Sequence, residues 1–189
     1  ESDLGKLDDA IAHLKALIEN DPGHSHGRVA LGVAQARAGL IDEAIATLGD
    51  AVRVAPDNPY ARRNLGGLLG KKGLLADAVT HLREAVRLLP ADQQALYGLA
   101  HTLLALGGDD HAAESDLLFQ RAIAVDPDSD LAEACRRERS RVAQGTFRSN
   151  AAGQVRMDAV MYCLGAMQTF AKMPKEDVRK VTFEIAVLG

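Results

Sequence analysis

The sequence predicts an all-α fold: a stack of antiparallel helix pairs, finished by a C-terminal helical hairpin. Three observations predict it. Prolines recur in like settings, Asn20-Asp21-Pro22, Val54-Ala55-Pro56, Leu88-Leu89-Pro90 and Val125-Asp126-Pro127, at spacings of 34, 34 and 37 residues. Aligning on them puts Leu31-Gly32 over Leu65-Gly66 and Leu99-Ala100, Gly39 over Gly73 and Gly107, and Leu48 over Leu82 and Phe119. Between the prolines, apolar residues return at helical rather than strand intervals.

Taken in order, residues 7–20 match only the second helix of a pair, with Gly5, Ala10 and Leu14 in register before Pro22. The matching first helix is absent from the sequence, so the chain begins inside a repeat or the lone helix is the natural end of the array. Residues 42–55 carry Ala44, Ile45, Leu48, Ala51, Val52 and Ala55 on one helical face, and 76–89 repeat this with Ala78, Val79, Leu82, Ala85, Val86 and Leu89. Gly32, Ala44 and Ala51 are small enough to let two helix axes approach, while Leu31 and Leu48 fill the remaining space. Gly39 and Gly73 supply the positive φ that ends each first helix. Each proline removes a donor and stops the second. The third unit contains three extra residues in Gly108-Asp109-Asp110-His111, which lengthen the turn or the helix start, and Ser115 replaces the aligned alanine. Asp128 or Asp130 is placed to cap a further helix reaching Ala143, whose outer face is polar with Arg136, Arg137, Glu138, Arg139 and Arg141.

These aligned residues resemble the tetratricopeptide repeat, a helix–turn–helix unit of 34 residues. The resemblance covers roughly residues 5–144: a partial repeat at 5–24, repeats at 25–58, 59–92 and 93–129, and a capping helix at 130–144. It implies a right-handed superhelical solenoid of antiparallel helix pairs. The usual tryptophan of the family is replaced by Arg28, Arg62 and Leu96, which makes the packing less regular than consensus.

Beyond the stack, Gly145-Thr146-Phe147-Arg148-Ser149-Asn150 reads as a linker, at 145–150, and composition changes after it. All four methionines follow, and Met157, Met161, Leu164, Met167 and Phe170 mark a surface for packing or self-association. On a helix the apolar residues of 155–173 occupy nearly the whole circumference, so they need cover on more than one side. Pro174 can open a second helix to Val187, although Val181-Thr182-Phe183-Glu184-Ile185 also alternates like a strand. Residues 151–189 are read as a helical hairpin that caps the repeats, self-associates into a homodimer, or belongs to a further domain.

Composition narrows the function. The chain has 189 residues, 47% hydrophobic and 25% charged, with 22 Lys+Arg against 26 Asp+Glu and a net charge of −4. That excludes a wholly disordered chain. No uninterrupted apolar run is long enough for a membrane span. The absence of a basic field, with only 4% aromatic residues, argues against a nucleic-acid partner. Cys135 and Cys163 are too few for a disulfide framework or a zinc site and fit a reducing, cytoplasmic setting. Glu1 stands where Met would begin a native chain, which points to a trimmed N-terminus whose targeting signals are not visible.

Other chemistry is weakly supported. His24-Ser25-His26 sits in an inter-repeat turn without a third metal ligand. Asp126-Pro127-Asp128-Ser129-Asp130 opens like a calcium loop but has Leu131 at the glycine position. Gly66, Gly67, Gly70 and Gly73 lack the order of a phosphate-binding loop. Neither cysteine has an activating histidine signature, and Glu133 and Glu138 interrupt the arginine cluster of 136–141. No catalytic residue, metal or cofactor is therefore expected.

The resemblance implies instead a noncatalytic protein–protein interaction scaffold whose first helices line a concave peptide-binding groove. Its groove positions are occupied here by His26, Val29, Val33 and Arg37, by Tyr60, Arg63, Asn64 and Lys71, and by Gln94, Tyr97 and His101. Gly67, Gly70 and Gly98 would leave open space between them. Arg37, Arg63 or Lys71 would pair with a carboxylate of the bound segment while Tyr60 and Tyr97 cover its apolar atoms. The branch of the family that clamps chaperone tails uses Lys, Asn, Asn, Lys and Arg at fixed positions. Only Asn64 matches that set, with Val29, Val33, Gln94 and Gly98 at other positions, which disfavours that function. The alternatives are a regulatory or substrate-recruiting fragment of a larger enzyme, such as a glycosyltransferase, and a homo-oligomerising assembly protein.

Overall fold

A computed structural model describes residues 2–143. Among the described residues there are eight helices and no strand: α1 Ser2–Asn20, α2 Ser25–Arg37, α3 Ile41–Val54, α4 Pro59–Lys71, α5 Leu75–Leu88, α6 Gln93–Leu106, α7 Asp109–Val125 and α8 Asp130–Ala143. The hairpin expected at 151–189, with Met157, Met161, Leu164, Met167 and Phe170, lies outside the described residues, as does the 145–150 linker. None of the described helices is long and apolar enough to cross a membrane. The described residues divide into two compact units, with the boundary between Thr102 and Leu103, inside α6.

In the first unit, consecutive helices pack as antiparallel pairs, and the pairing rests on a missing Cβ. Ala44, Leu48 and Ala51 of α3 are wholly buried against α2, as are Ala78, Leu82 and Ala85 of α5 against α4. A Cβ added at Gly32 would lie 2.6 Å from Leu48 Cγ, and one at Gly66 would lie 2.7 Å from Leu82 Cγ. Both are far inside van der Waals contact, so glycine sets how closely the two axes approach. Leu65, Leu68 and Leu69 of α4 and Leu96, Leu99 and Ala100 of α6 complete the core.

The turns inside each pair are also fixed locally. Gly39 (φ 82°) and Gly73 (φ 79°) occupy the left-handed region that follows α2 and α4. The Leu40 N–H donates back to the Gln35 carbonyl at 2.9 Å, and the Leu74 N–H to the Leu69 carbonyl at 3.0 Å. This six-to-one bond satisfies carbonyls that the helix end would otherwise leave unpaired. Lys72 ties the second turn to the previous pair through Asp42.

The first helices start on a recurring cap that the proline alignment did not reveal. His24 Nδ1 accepts from the Gly27 N–H at 2.8 Å, and Asn58 Oδ1 from Tyr60 and Ala61 at 3.0 and 3.2 Å. Asp92 Oδ1 accepts from Gln94 and Ala95 at 3.0 and 3.1 Å, and Ser129 Oγ from Ala132 at 3.1 Å. Each cap stands two residues beyond a repeated proline. Ser129, rather than Asp128 or Asp130, therefore caps α8. Its hydroxyl also donates to the Asp126 carbonyl at 3.0 Å.

In the second unit, α7 packs on α8 through Leu118, Phe119 and Ala122 on one side and Ala132, Cys135 and Val142 on the other. The three inserted residues extend the helix start: α7 has 17 residues, where α3 and α5 have 14. Gly107 and Gly108, at φ 80° and 100°, make the turn ahead of it. Arg139 is not on the outer polar face of α8. It pairs with the buried Asp116 carboxylate of α7, Nε to Oδ1 and Nη2 to Oδ2 at 3.3 Å, and Gln120 also donates to that carboxylate. Arg136, Arg137 and Arg141 remain exposed. Cys135 is fully buried, and burial pushes its thiol up to about 11, so the thiolate needed for reaction is scarce at neutral pH.

His81 of α5 is half-buried with Nδ1 unpaired, and burial, reinforced by the Arg62 charge, lowers its pKa from the ordinary value against an opposing pull from Asp77.

Two neighbouring glycines should respond in opposite senses. Gly66→Ala is expected to destabilise the protein by about 1–3 kcal/mol through overpacking against Leu82. Gly67→Ala, with nothing within 4 Å of its added Cβ, should stabilise it by up to about 1 kcal/mol through helix propensity. Urea unfolding monitored by circular dichroism distinguishes them. The His81 contribution has a defined sign: its folded pKa lies below the unfolded value near 6.5, so the unfolded chain takes up the proton first. Stability from this group is present above that value and is lost as pH falls from it towards the folded pKa. His81→Gln should flatten the decline in urea midpoint over that window, and an unaltered slope would show that the imidazole does not contribute.

Candidate functional site

All eleven candidate binding residues belong to the first unit and lie on its first helices, α2, α4 and α6. Proline at the first position of α4 and the caps at 24, 58 and 92 fix where these helices begin, and hence which side chains they leave uncovered. His26, Val33, Arg37, Tyr60, Lys71, Gln94 and His101 are exposed, while Val29, Arg63, Asn64 and Tyr97 are half-buried.

The structure brings some of them together. The Arg63 guanidinium lies 5.3 Å from the centre of the Tyr60 ring, within cation–π range. Its Nη1 donates to Asp92 Oδ2 at 2.8 Å, and the Asp92 side chain is only 5% exposed. Asp92 therefore caps α6 with one oxygen and anchors Arg63 of α4 with the other. The neighbouring cap repeats the device: Asn58 Nδ2 donates to Ser25 Oγ of α2 at 3.3 Å while its Oδ1 caps α4. On α6, Tyr97 and His101 stack, with ring centres 6.0 Å apart and planes inclined by 30°.

This arrangement redistributes the roles read from the sequence. Arg63 already has a carboxylate beside it, so its charge is offset and its effect is to hold the Tyr60 ring. Of the candidate cations, Arg37 and Lys71 are exposed and have no ion-pair partner among the described residues. They stand 34 residues apart in the last turns of α2 and α4, where a cation also complements the helix dipole. Asn64 makes no side-chain hydrogen bond among the described residues, leaving its amide available as donor and acceptor. Of the three glycines expected to open space, Gly67 alone does so. A Cβ at Gly98 would meet Leu82 Cδ2 at 3.3 Å, and one at Gly70 would meet Thr102 Oγ1 at 3.5 Å and Ala78 Cβ at 3.7 Å; both glycines serve packing. His24 uses Nδ1 as a helix cap, and no group of three metal-ligating side chains gathers among the described residues.

Asp92 was not legible as part of this surface, although its position two residues after Pro90, matching Asn58 after Pro56, was the available signal. Asp92→Ala should cost about 2–4 kcal/mol, because it removes a helix cap and leaves a half-buried guanidinium unpaired. Asp92→Asn keeps the capping oxygen and should cost less. Urea midpoints of the two variants test this order.

Two models of the tetratricopeptide repeat match the chain, over residues 3–66 and 63–130. Among solved structures, MamA residues 41 to the end, from Desulfovibrio magneticus RS-1, superposes with a TM-score of 0.60 at 19% identity, covering 90% of this chain and 89% of that one. A thermophilic repeat protein of Thermus thermophilus gives 0.60 at 22% identity, covering 71% of this chain and 74% of its own. The first repeat domain of Spaghetti (RPAP3), bound to the HSP90 peptide SRMEEVD, gives 0.57 at 20% identity, covering 64% and 93% respectively. No curated protein matches the chain. At these identities the likeness concerns the fold.

Proposed function

Because the chain belongs to the tetratricopeptide repeat family, we propose that it is a noncatalytic interaction module that takes an extended segment of another protein along the first-helix face of α2, α4 and α6. The observation that carries this reading is the Tyr60–Arg63–Asp92 assembly. A ring fixed by a guanidinium, itself fixed by a buried carboxylate, presents a flat apolar surface that loses little freedom when a ligand covers it. Beside it, the Asn64 amide suits a peptide backbone, Gly67 leaves room for a ligand side chain, and the stacked Tyr97 and His101 offer a second ring surface.

Charge selects the ligand further. Arg37 and Lys71 carry charge without an internal counterion among the described residues, so an acidic group on the bound segment pairs with them rather than with Arg63. The solved repeat domain bound to an acidic peptide supports this class of ligand, although this chain lacks most of the chaperone-tail clamp and is read as selecting a different sequence. An affinity near micromolar, about −8 kcal/mol, is the expected scale once peptide ordering has offset part of the contact energy.

Peptides selected from a random display library against the protein should be enriched in an acidic residue beside an aromatic or aliphatic one. Arg37→Glu with Lys71→Glu should weaken them about tenfold or more, and Tyr97→Ala should do so to a similar degree, with helical circular dichroism unchanged. Selected peptides that bind both variants as tightly as the parent would remove the assignment.

A further inference from the structure

Charge is sorted between the two kinds of helix. No Asp or Glu occurs in α2, α4 or α6, while α2 and α4 carry Arg28, Arg37, Arg62, Arg63 and Lys71. The helical acids of these pairs stand on α3 and α5, at Asp42, Glu43, Asp50, Asp77 and Glu84. Three of the five cations are turned to internal use. Arg63 is held by Asp92. Arg62 Nε donates to the Pro56 carbonyl at 2.6 Å, and its charge bears on His81 and Glu84 of α5. Arg28, in the same register 34 residues earlier, buries Nη1. Arg37 and Lys71 are left exposed in the last turns of α2 and α4, on helices with no carboxylate of their own to repel an anion. Neither stands at one of the five positions of the chaperone-tail clamp.

We propose, resting on the reading of this face as a peptide groove, that its ligand carries two carboxylate side chains three residues apart, one for Arg37 and one for Lys71, with a large apolar residue between them. The interval follows from the spacing of the helices. The first helices α2 and α4 touch, and they run in the same direction because α3 lies antiparallel to both. Packed helix axes stand about 8–10 Å apart, and an extended chain advances about 3.1–3.4 Å per residue. Three residues therefore cover one repeat, whereas two fall short. A segment in the polyproline II conformation also returns its side chains to one side at every third residue. The apolar residue follows from the neighbouring turn. Val33 lies one helical turn before Arg37, and Gly67 one turn before Lys71, each on the same helix face as its cation. Val33 is 37% exposed, and a Cβ at Gly67 would meet nothing within 4 Å. The row beside the cations is thus an exposed valine next to a gap. A side chain between the two acids fills that gap and covers Val33, while a Lys or Arg at either acidic place is repelled.

Peptides selected from a random display library against the full chain test the interval. Two Asp or Glu residues at i and i+3, with Leu, Ile, Met or Phe between them, should be enriched over every other spacing. In a double-mutant cycle on one such synthetic peptide, changing either acid to its amide should weaken binding to the parent protein about fivefold. The same change should have almost no effect on whichever of Arg37→Gln or Lys71→Gln has lost that acid's partner. Gly67→Leu, which fills the gap, should re-select peptides with Ala or Gly between the same two acids. Enrichment at another spacing, both acids coupled to one cation, or an unaltered selection by Gly67→Leu would each overturn the three-residue register. The groove reading beneath it fails on a different result, selected peptides of any sequence that bind the variant carrying both Arg37→Glu and Lys71→Glu as tightly as the parent.

Discussion

The approach of Gly32 to Leu48, and of Gly66 to Leu82, is the constraint on which the first unit depends. A leucine side chain occupies the volume that a Cβ on the opposite helix would need, so the two helices lie closer than ordinary side chains allow. That distance buries the flanking alanines completely and places the next first helix within reach of the last. It also decides which residues remain uncovered. The first helices commit their small and branched residues to packing and leave Tyr60, Lys71, Gln94 and His101 to face outward.

Much of this architecture is legible because its devices are residue types with sharp backbone preferences. Each repeated proline stands just past the end of a second helix, which it cannot continue, and Gly39 and Gly73 adopt a conformation that other residues avoid. The caps are less legible. His24, Asn58, Asp92 and Ser129 do one job with four different side chains, so identity hides what position would reveal. Ser129 lies between two aspartates that are equally good caps by residue type, and only geometry selects it. Gly98 and Gly70 show the converse problem. A glycine on a helix reads as empty space, yet whether a neighbour fills that space depends on helices distant in sequence.

The candidate surface shows the same division. Which residues lie on the first helices followed from the period. Which of them are free to act did not, because Arg63 and Asp92 are 29 residues apart and their ion pair belongs to the stacking of α4 on the start of α6. The outcome changes the electrostatics: the Arg63 guanidinium is occupied in holding an aromatic ring, which leaves Arg37 and Lys71 as the candidate cations without a counterion among the described residues. Arg139 behaves similarly in the second unit, turning from an expected solvated face to the buried Asp116.

The lengthened start of α7 has a consequence for engineering. Its additional residues precede Ser115, Phe119 and Ala122, which keep their burial, and the added turn is itself held back on the residue before it, His111 Nδ1 lying 2.6 Å from the Gly107 carbonyl. The paired left-handed glycines at 107 and 108 make the turn ahead of it. This makes the junction a natural splice point, where added length is taken up ahead of the buried stripe without retuning the hydrophobic interior.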